Sequence, residues 1–199
     1  MNSHYYNSNL ETKSNVQKMT FTLLDQDLTF YTDHGVFSKG AIDYGTRALV
    51  KSYSYKENHK HILDLGCGYG PIGISLAKKF SNLSVVMVDV NLRAIELTKQ
   101  NIIENHVLNA QVYESNIYDN VFQKFDCILT NPPIRAGKMV VHEILEKSYD
   151  YLNPQGEILV VIQKKQGAPS AKAKLEEIYG NCEIINKDRG YFILKSEKR

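Results

Sequence analysis

The chain has 199 residues, 43% hydrophobic and 23% charged, which suits one domain with a full apolar core and leaves no room for two enzymatic ones. Lys and Arg number 24 against 22 Asp and Glu, a formal charge of +2, too small for a protein that coats nucleic acid by bulk electrostatics; any such contact must be local. The longest apolar run, 158–162, falls far short of the ~20 residues of a membrane span, and the polar start Met1-Asn-Ser-His lacks a leader's apolar stretch. A cytoplasmic chain with no membrane partner is expected. Cys67, Cys127 and Cys182 are odd in number and lack metal-ligand spacing, as expected of buried thiols in a reducing compartment.

Residues 1–19, rich in Asn, Ser, Tyr and Lys, read as a loosely held arm or short surface helix ahead of one domain over 20–199. Thr20-Phe-Thr-Leu-Leu and Leu28-Thr-Phe-Tyr-Thr alternate about Asp25-Gln-Asp, predicting a β-hairpin. Ile42, Leu49 and Val50 fall at helical spacing and predict a helix over 42–53. Strand and helix then take turns. Strands are expected at 61–65, 84–89, 110–114, 126–130 and 157–162, and helices at 71–80, 92–105, 140–152 and 172–179. Several of these strands are unbroken apolar runs, as a parallel sheet buried on both faces requires. The last two, 183–186 and 191–195, are joined by Lys-Asp-Arg-Gly, too short for a parallel crossover, so they form an antiparallel hairpin. The expected class is α/β: a Rossmann-like, mostly parallel sheet with helices on both faces and a β-hairpin in front.

The strongest local signal is His61-Ile-Leu-Asp-Leu-Gly-Cys-Gly-Tyr-Gly-Pro-Ile-Gly, a strand that ends in glycines and opens a helix at Pro71. Gly66, Gly68 and Gly70 let backbone approach a ligand closely and present amides at a helix start, which suits a nucleotide. The spacing Gly68-x-Gly70-x-x-Gly73 also matches the dinucleotide fingerprint, so glycines alone do not choose the cofactor. Charge does: Asp64 before the loop would repel a pyrophosphate and attract a sulfonium or ammonium, favouring S-adenosylmethionine. Asp89 closes the next strand and can accept both ribose hydroxyls, and Asn91 behind it is expected to cap the following helix and to touch the cofactor as well. At a third strand end, Asn116 can meet the adenine amine while Ile117 packs on the ring.

The second motif is Phe125-Asp-Cys-Ile-Leu-Thr-Asn131-Pro132-Pro133-Ile134. An Asn at a strand end followed by two prolines makes a stiff loop that aims an amide oxygen and a backbone carbonyl into the cleft. Two acceptors holding the N–H bonds of an exocyclic amine draw its delocalised lone pair toward a methyl donor, and no strong base is needed.

The two motifs resemble the class I S-adenosylmethionine-dependent methyltransferases that modify amino groups. Together with Phe30-Tyr-Thr-Asp-His-Gly35-Val-Phe37-Ser38 and the Ser115-Asn116 pair, they resemble the methyltransferase domain of small-subunit (16S) rRNA guanine-N2 methyltransferases. The resemblance implies a seven-stranded sheet with the last strand reversed. It also implies cofactor contacts from Asp64, Gly66, Gly68, Asp89 and Asn116, and amine-holding positions at Asn131 and Pro132. Many members carry an aromatic after the prolines to stack on the base; here Ile134 stands there, so stacking is expected from Phe37 or Phe30. Longer members also have an additional N-terminal half that helps hold RNA, in place of which only the short arm 1–19 is expected here. Arg135 and Lys138, and Lys164 and Lys165 after the next strand, are expected to contact phosphates. No metal is expected, since His59 and His61 give too few ligands. The expected activity is N2-methylation of a guanine in rRNA or the small ribosomal subunit. The alternatives are adenine N6, a protein glutamine, or a non-catalytic RNA-binding module.

Overall fold

A computed structural model of the chain describes residues 15–33, 36 and 42–199. It opens on a hairpin, β1 (Gln17–Leu23) and β2 (Gln26–Thr32). Its two-residue turn, Leu24-Asp25, has φ of 52° and 59°, the twist that brings strands back antiparallel in tight register. β1 starts inside the segment expected to be a free arm, and its alternation continues through Met19. The hairpin docks on α3 (Leu92–Glu104) through side-chain amides. Asn101 Oδ1 accepts from Tyr31 N at 2.7 Å and Asn105 Oδ1 from Thr29 N at 2.9 Å, and each amide donates back to the same residue's carbonyl.

The body is a seven-stranded sheet in the order β5-β4-β3-β6-β7-β9-β8. Its strands are β3 (His61–Leu65), β4 (Ser84–Asp89), β5 (Ala110–Glu114), β6 (Phe125–Thr130), β7 (Leu152–Gln163), β8 (Glu183–Asp188) and β9 (Tyr191–Glu197). All are parallel except β9, which runs against both β7 and β8. The β8–β9 turn is Arg189-Gly190 with φ of 46° and 81°, again a two-residue reversal. This is the class I methyltransferase arrangement that the resemblance implied.

Both faces of the sheet are covered. One apolar cluster joins Ile62, Cys127, Leu129 and Leu159 to α1 (Tyr44–Ser52), α2 (Pro71–Lys79), α3 and the hairpin. The other joins Leu63, Val86, Ile128 and Val160 to α4 (Lys138–Ser148) and α5 (Ala168–Tyr179). Successive strand residues point to opposite clusters, so uninterrupted apolar runs are stable here; each buried Val, Leu or Ile contributes roughly 1.5–3 kcal/mol. Among the described residues, no helix is long and apolar enough to cross a membrane.

The chain runs outward from β3 to β5 and returns to the other side of β3 as β6. The order therefore reverses between β3 and β6, and open α/β sheets bind ligands beyond the carboxyl ends at such a point. Leu65 and Thr130 are paired neighbours there, so the glycine loop and Asn131 leave the sheet side by side.

Candidate active site

A cavity of about 650 Å³ lies beyond these strand ends and is lined by both motifs. Gly66 and Gly68 line it, each with positive φ. At Gly68 (φ 59°) an added Cβ would meet no protein atom within 4 Å, so backbone conformation, not packing, demands glycine there. Gly73 is the reverse case: a Cβ would lie 2.5 Å from Met87, which lets α2 press onto β4. Gly70, at φ 92°, is the residue from which α2 starts and does not line the cavity.

Asp89 ties the loop together. One carboxylate oxygen accepts from Gly68 N at 2.8 Å and the other from Asn91 N at 2.9 Å. Burial raises its pKa, and the backbone N–H groups of Asn91, Gly68 and Val90 act the other way. Asn91 caps α3 by accepting from Arg93 N and Ala94 N, so the residue is at the cavity wall with its oxygen already engaged. Asn116 and Ile117 line the cavity as well. Ile117 has φ of 51°, rare for a β-branched residue. It is held there by Ser115, whose hydroxyl donates to the Ile117 carbonyl and accepts from Asn120 N.

Asp64 departs from expectation. It is fully buried beneath the loop and absent from the cavity wall, with Oδ2 accepting from Gly73 N at 2.8 Å and Oδ1 without a protein partner. Burial first, then the Asp89 charge, lifts its pKa to about 7 against an ordinary 3.8. The native state thus keeps a proton that the unfolded chain releases, and stability falls as pH rises from about 4 to 7, levelling off above. The loss is on the order of 4 kcal/mol. Asp64→Asn keeps the acceptor for Gly73 and removes the charge. Urea unfolding at pH 5 and pH 8 is expected to show a markedly smaller difference in the variant than in the wild type, and equal differences would contradict this.

Asn131 lines the cavity at the end of β6, with Pro132, Pro133 and Ile134 behind it, the last opening a short 3₁₀ turn. Its amide nitrogen donates to Asp43 Oδ2 at 3.1 Å and to Thr46 Oγ1 at 3.0 Å. Both amide protons are thereby used, and the orientation leaves Oδ1 as the acceptor. Asp43 is itself the N-cap of α1, accepting from Gly45 N and Thr46 N. Asp43 and Thr46 were missed in the sequence because their partner lies more than 80 positions away; the only local signal was an Asp at a helix start.

Of the expected substrate contacts, Arg135 lines the cavity, whereas Lys138 at the start of α4 and Lys164 and Lys165 in a 3₁₀ turn after β7 are exposed and outside the wall. Gln163 and Gln166, flanking those lysines, line it instead. Phe30 is fully buried, edge-on to Tyr69 at 5.7 Å, and cannot stack on a base. Phe37 lies outside the described residues. An aromatic that does line the cavity is Tyr191, which enters at the start of β9.

The chain is 50% identical to the uncharacterized protein YbxB of Bacillus subtilis, over all of both chains. It is 34% identical to the ribosomal RNA small subunit methyltransferase C of Haemophilus influenzae, over 80% of this chain and 48% of that one, so it spans about half the length of that relative. Among solved structures, the 16S rRNA N2 G1207 methyltransferase RsmC of T. thermophilus, in complex with AdoMet and guanosine, superposes with a TM-score of 0.84 at 26% identity, covering 94% of this chain and 52% of that one. A family model described as methyltransferase small domain matches residues 27–195. That match runs from the second strand of the hairpin to the last strand of the sheet, and the chain belongs to the methyltransferase small domain family.

Proposed function

We propose that the chain transfers a methyl group from S-adenosylmethionine to the exocyclic N2 amine of a guanine in small-subunit (16S) rRNA. The observation that carries this reading is the fixed amide of Asn131, in the same cavity as Gly68 and Asp89. The names of the two rRNA methyltransferases support the substrate.

The residues fit the cofactor. Asp89 turns a half-buried carboxylate to the cavity where ribose hydroxyls can donate, and Gly66 and Gly68 present bare backbone beside it. Asn116 gives its amide N–H to Asp119, which frees its oxygen for the adenine amine while Ile117 covers the ring. When bound, S-adenosylmethionine supplies an electrophilic methyl on a cationic sulfur, a charge that the buried Asp64 favours. Asn131 Oδ1 and the Pro132 carbonyl accept the two N–H bonds of the guanine amine and turn its lone pair out of conjugation. The nitrogen is acidic once methylated, and its proton leaves to water without a dedicated base.

Small subunits and naked rRNA from a strain lacking the gene, incubated with the purified protein and labelled methyl donor, are expected to yield N2-methylguanosine on nucleoside mass spectrometry. N6-methyladenosine, labelled protein, or no cofactor binding by calorimetry would each replace this reading with another. Asp43→Asn tests the amide arrangement. Asn caps a helix as well as Asp does, so α1 is kept, but its amide nitrogen now faces that of Asn131 and forces the amide to turn over. Turnover is expected to fall roughly ten- to a hundredfold, with cofactor affinity and melting temperature unchanged. The pair Lys164→Ala and Lys165→Ala is expected to raise KM for RNA and flatten its salt dependence, leaving calorimetric cofactor affinity alone.

A further inference from the structure

At the other end of the sheet the fold gathers three buried donors that the reaction does not use. His59 precedes β3, Cys127 lies in β6 and Glu157 in β7; they are 1%, 0% and 2% exposed. Cys127 and Glu157 are direct cross-strand partners, and Cys127 is paired on its other side with Ile62. One ligand atom from each of the three lies within 4.8 Å of the others. His59 Nδ1 is in a 3.2 Å hydrogen bond with the Tyr53 hydroxyl, while its Nε2 is buried with no partner, 4.0 Å from Glu157 Oε1. Lys56 holds the other carboxylate oxygen, Oε2, at 2.5 Å. A gap of 4.0 Å is too long for a hydrogen bond, and leaving an imidazole nitrogen bare in an apolar core is costly.

We propose that His59 Nε2, Cys127 Sγ and Glu157 Oε1 form a metal site for a zinc(II)-class cation that clamps β3, β6 and β7. Bond lengths of about 2.0–2.3 Å to nitrogen, oxygen and sulfur place tetrahedral donors roughly 3.3–3.8 Å apart, so the three donors, within 4.8 Å of one another, need close in by at most about 1.5 Å. A mixed nitrogen, sulfur and oxygen set suits zinc or cobalt and not magnesium or calcium. The Tyr53 contact at Nδ1 orients the ring with Nε2 toward the cluster. A separate cavity of about 330 Å³, lined by Glu157 and Lys56, lies on the Glu157 side of the site. Binding breaks the Cys127 S–H bond, forms the metal–sulfur bond and releases one proton to solvent; burial keeps that thiol protonated until the metal arrives. No local pattern betrays this set, because its donors come from the turn before β3 and from two other strands.

The test uses the untagged full chain, stripped with a chelator and titrated with cobalt(II) chloride, then with zinc(II) chloride. Expected are tetrahedral cobalt bands with a thiolate-to-cobalt charge-transfer band, saturating near one equivalent and bleached by zinc. The bands are expected to survive Cys182→Ser and disappear in Cys127→Ala and Glu157→Gln. Zinc is also expected to raise the melting temperature of the wild type by several degrees and not that of Glu157→Gln. A wild type without the charge-transfer band, or a Cys127→Ala variant that keeps it, overturns the proposal, and the wild-type spectrum decides even if a variant fails to fold.

Discussion

Asn131→Ala is expected to lower turnover by roughly 10²–10³-fold, the usual cost of removing a preorganised polar group from a reacting centre, while calorimetric affinity for S-adenosylmethionine stays within about twofold. The reason is a separation of tasks around one cavity. Asn131 leaves β6, and its side chain engages Asp43 and Thr46, both on the α1 side. Among the described residues, the glycine loop and Asp89, which belong to β3 and β4, make no hydrogen bond to that side chain. Truncation also leaves α1 capped, because Asp43 still accepts from Gly45 N and Thr46 N. A single-turnover assay with labelled donor, run beside calorimetry, separates the two quantities. Parallel losses in both would mean that Asn131 supports the cofactor and not the amine.

Asp89→Ala is expected to do the reverse, weakening cofactor affinity about a hundredfold and restoring most of the turnover at saturating cofactor. Two effects combine. The variant loses the acceptor for the ribose hydroxyls, and it also strands the N–H groups of Gly68 and Asn91 that the carboxylate now holds. Gly68 would then be free to leave its positive-φ conformation, so the loop must be reordered each time ligand binds. Turnover that stays depressed at saturation would show that Asp89 also shapes the reacting end.

Much of the fold was legible in the sequence, and the reasons are local. The spans of β3 and β4 stand where expected, since their unbroken apolar runs suit central strands of a two-sided sheet, while β5, a half-exposed edge strand, was marked by the polar Ser115-Asn116 that ends it. Boundaries failed where local chemistry misleads. α5 begins at Ala168, before the expected position, because Pro169 is tolerated in the first turn. α4 runs Lys138–Ser148 and not to residue 152, because Tyr149 and Tyr151 continue the apolar rhythm from a turn, packing on the core without being helical. β7 starts at Leu152, where Pro154 and Gly156 read as breakers but lie in an irregular stretch against β6. The cofactor side of the site followed from contiguous motifs. Asp43, Thr46, Gln163 and Tyr191 did not, since each reaches the cavity by tertiary folding alone. The same blindness put Phe30 in the pocket, when its place in an alternating strand turns it into the core.

The two asparagines of α3 stand in for a missing neighbour strand. Asn101 and Asn105, one helical turn apart, cover the outer backbone groups of Thr29 and Tyr31, and Asn101 also donates to the Tyr69 carbonyl beside the glycine loop. The margin of β2 is in this way sealed: a second copy approaching it finds no open ladder to join, the route by which exposed strands recruit one another into aggregates. Protection of this strand margin therefore resides in the amides at the end of a helix, and a cell carrying Asn101→Leu is expected to meet that change as inclusion bodies.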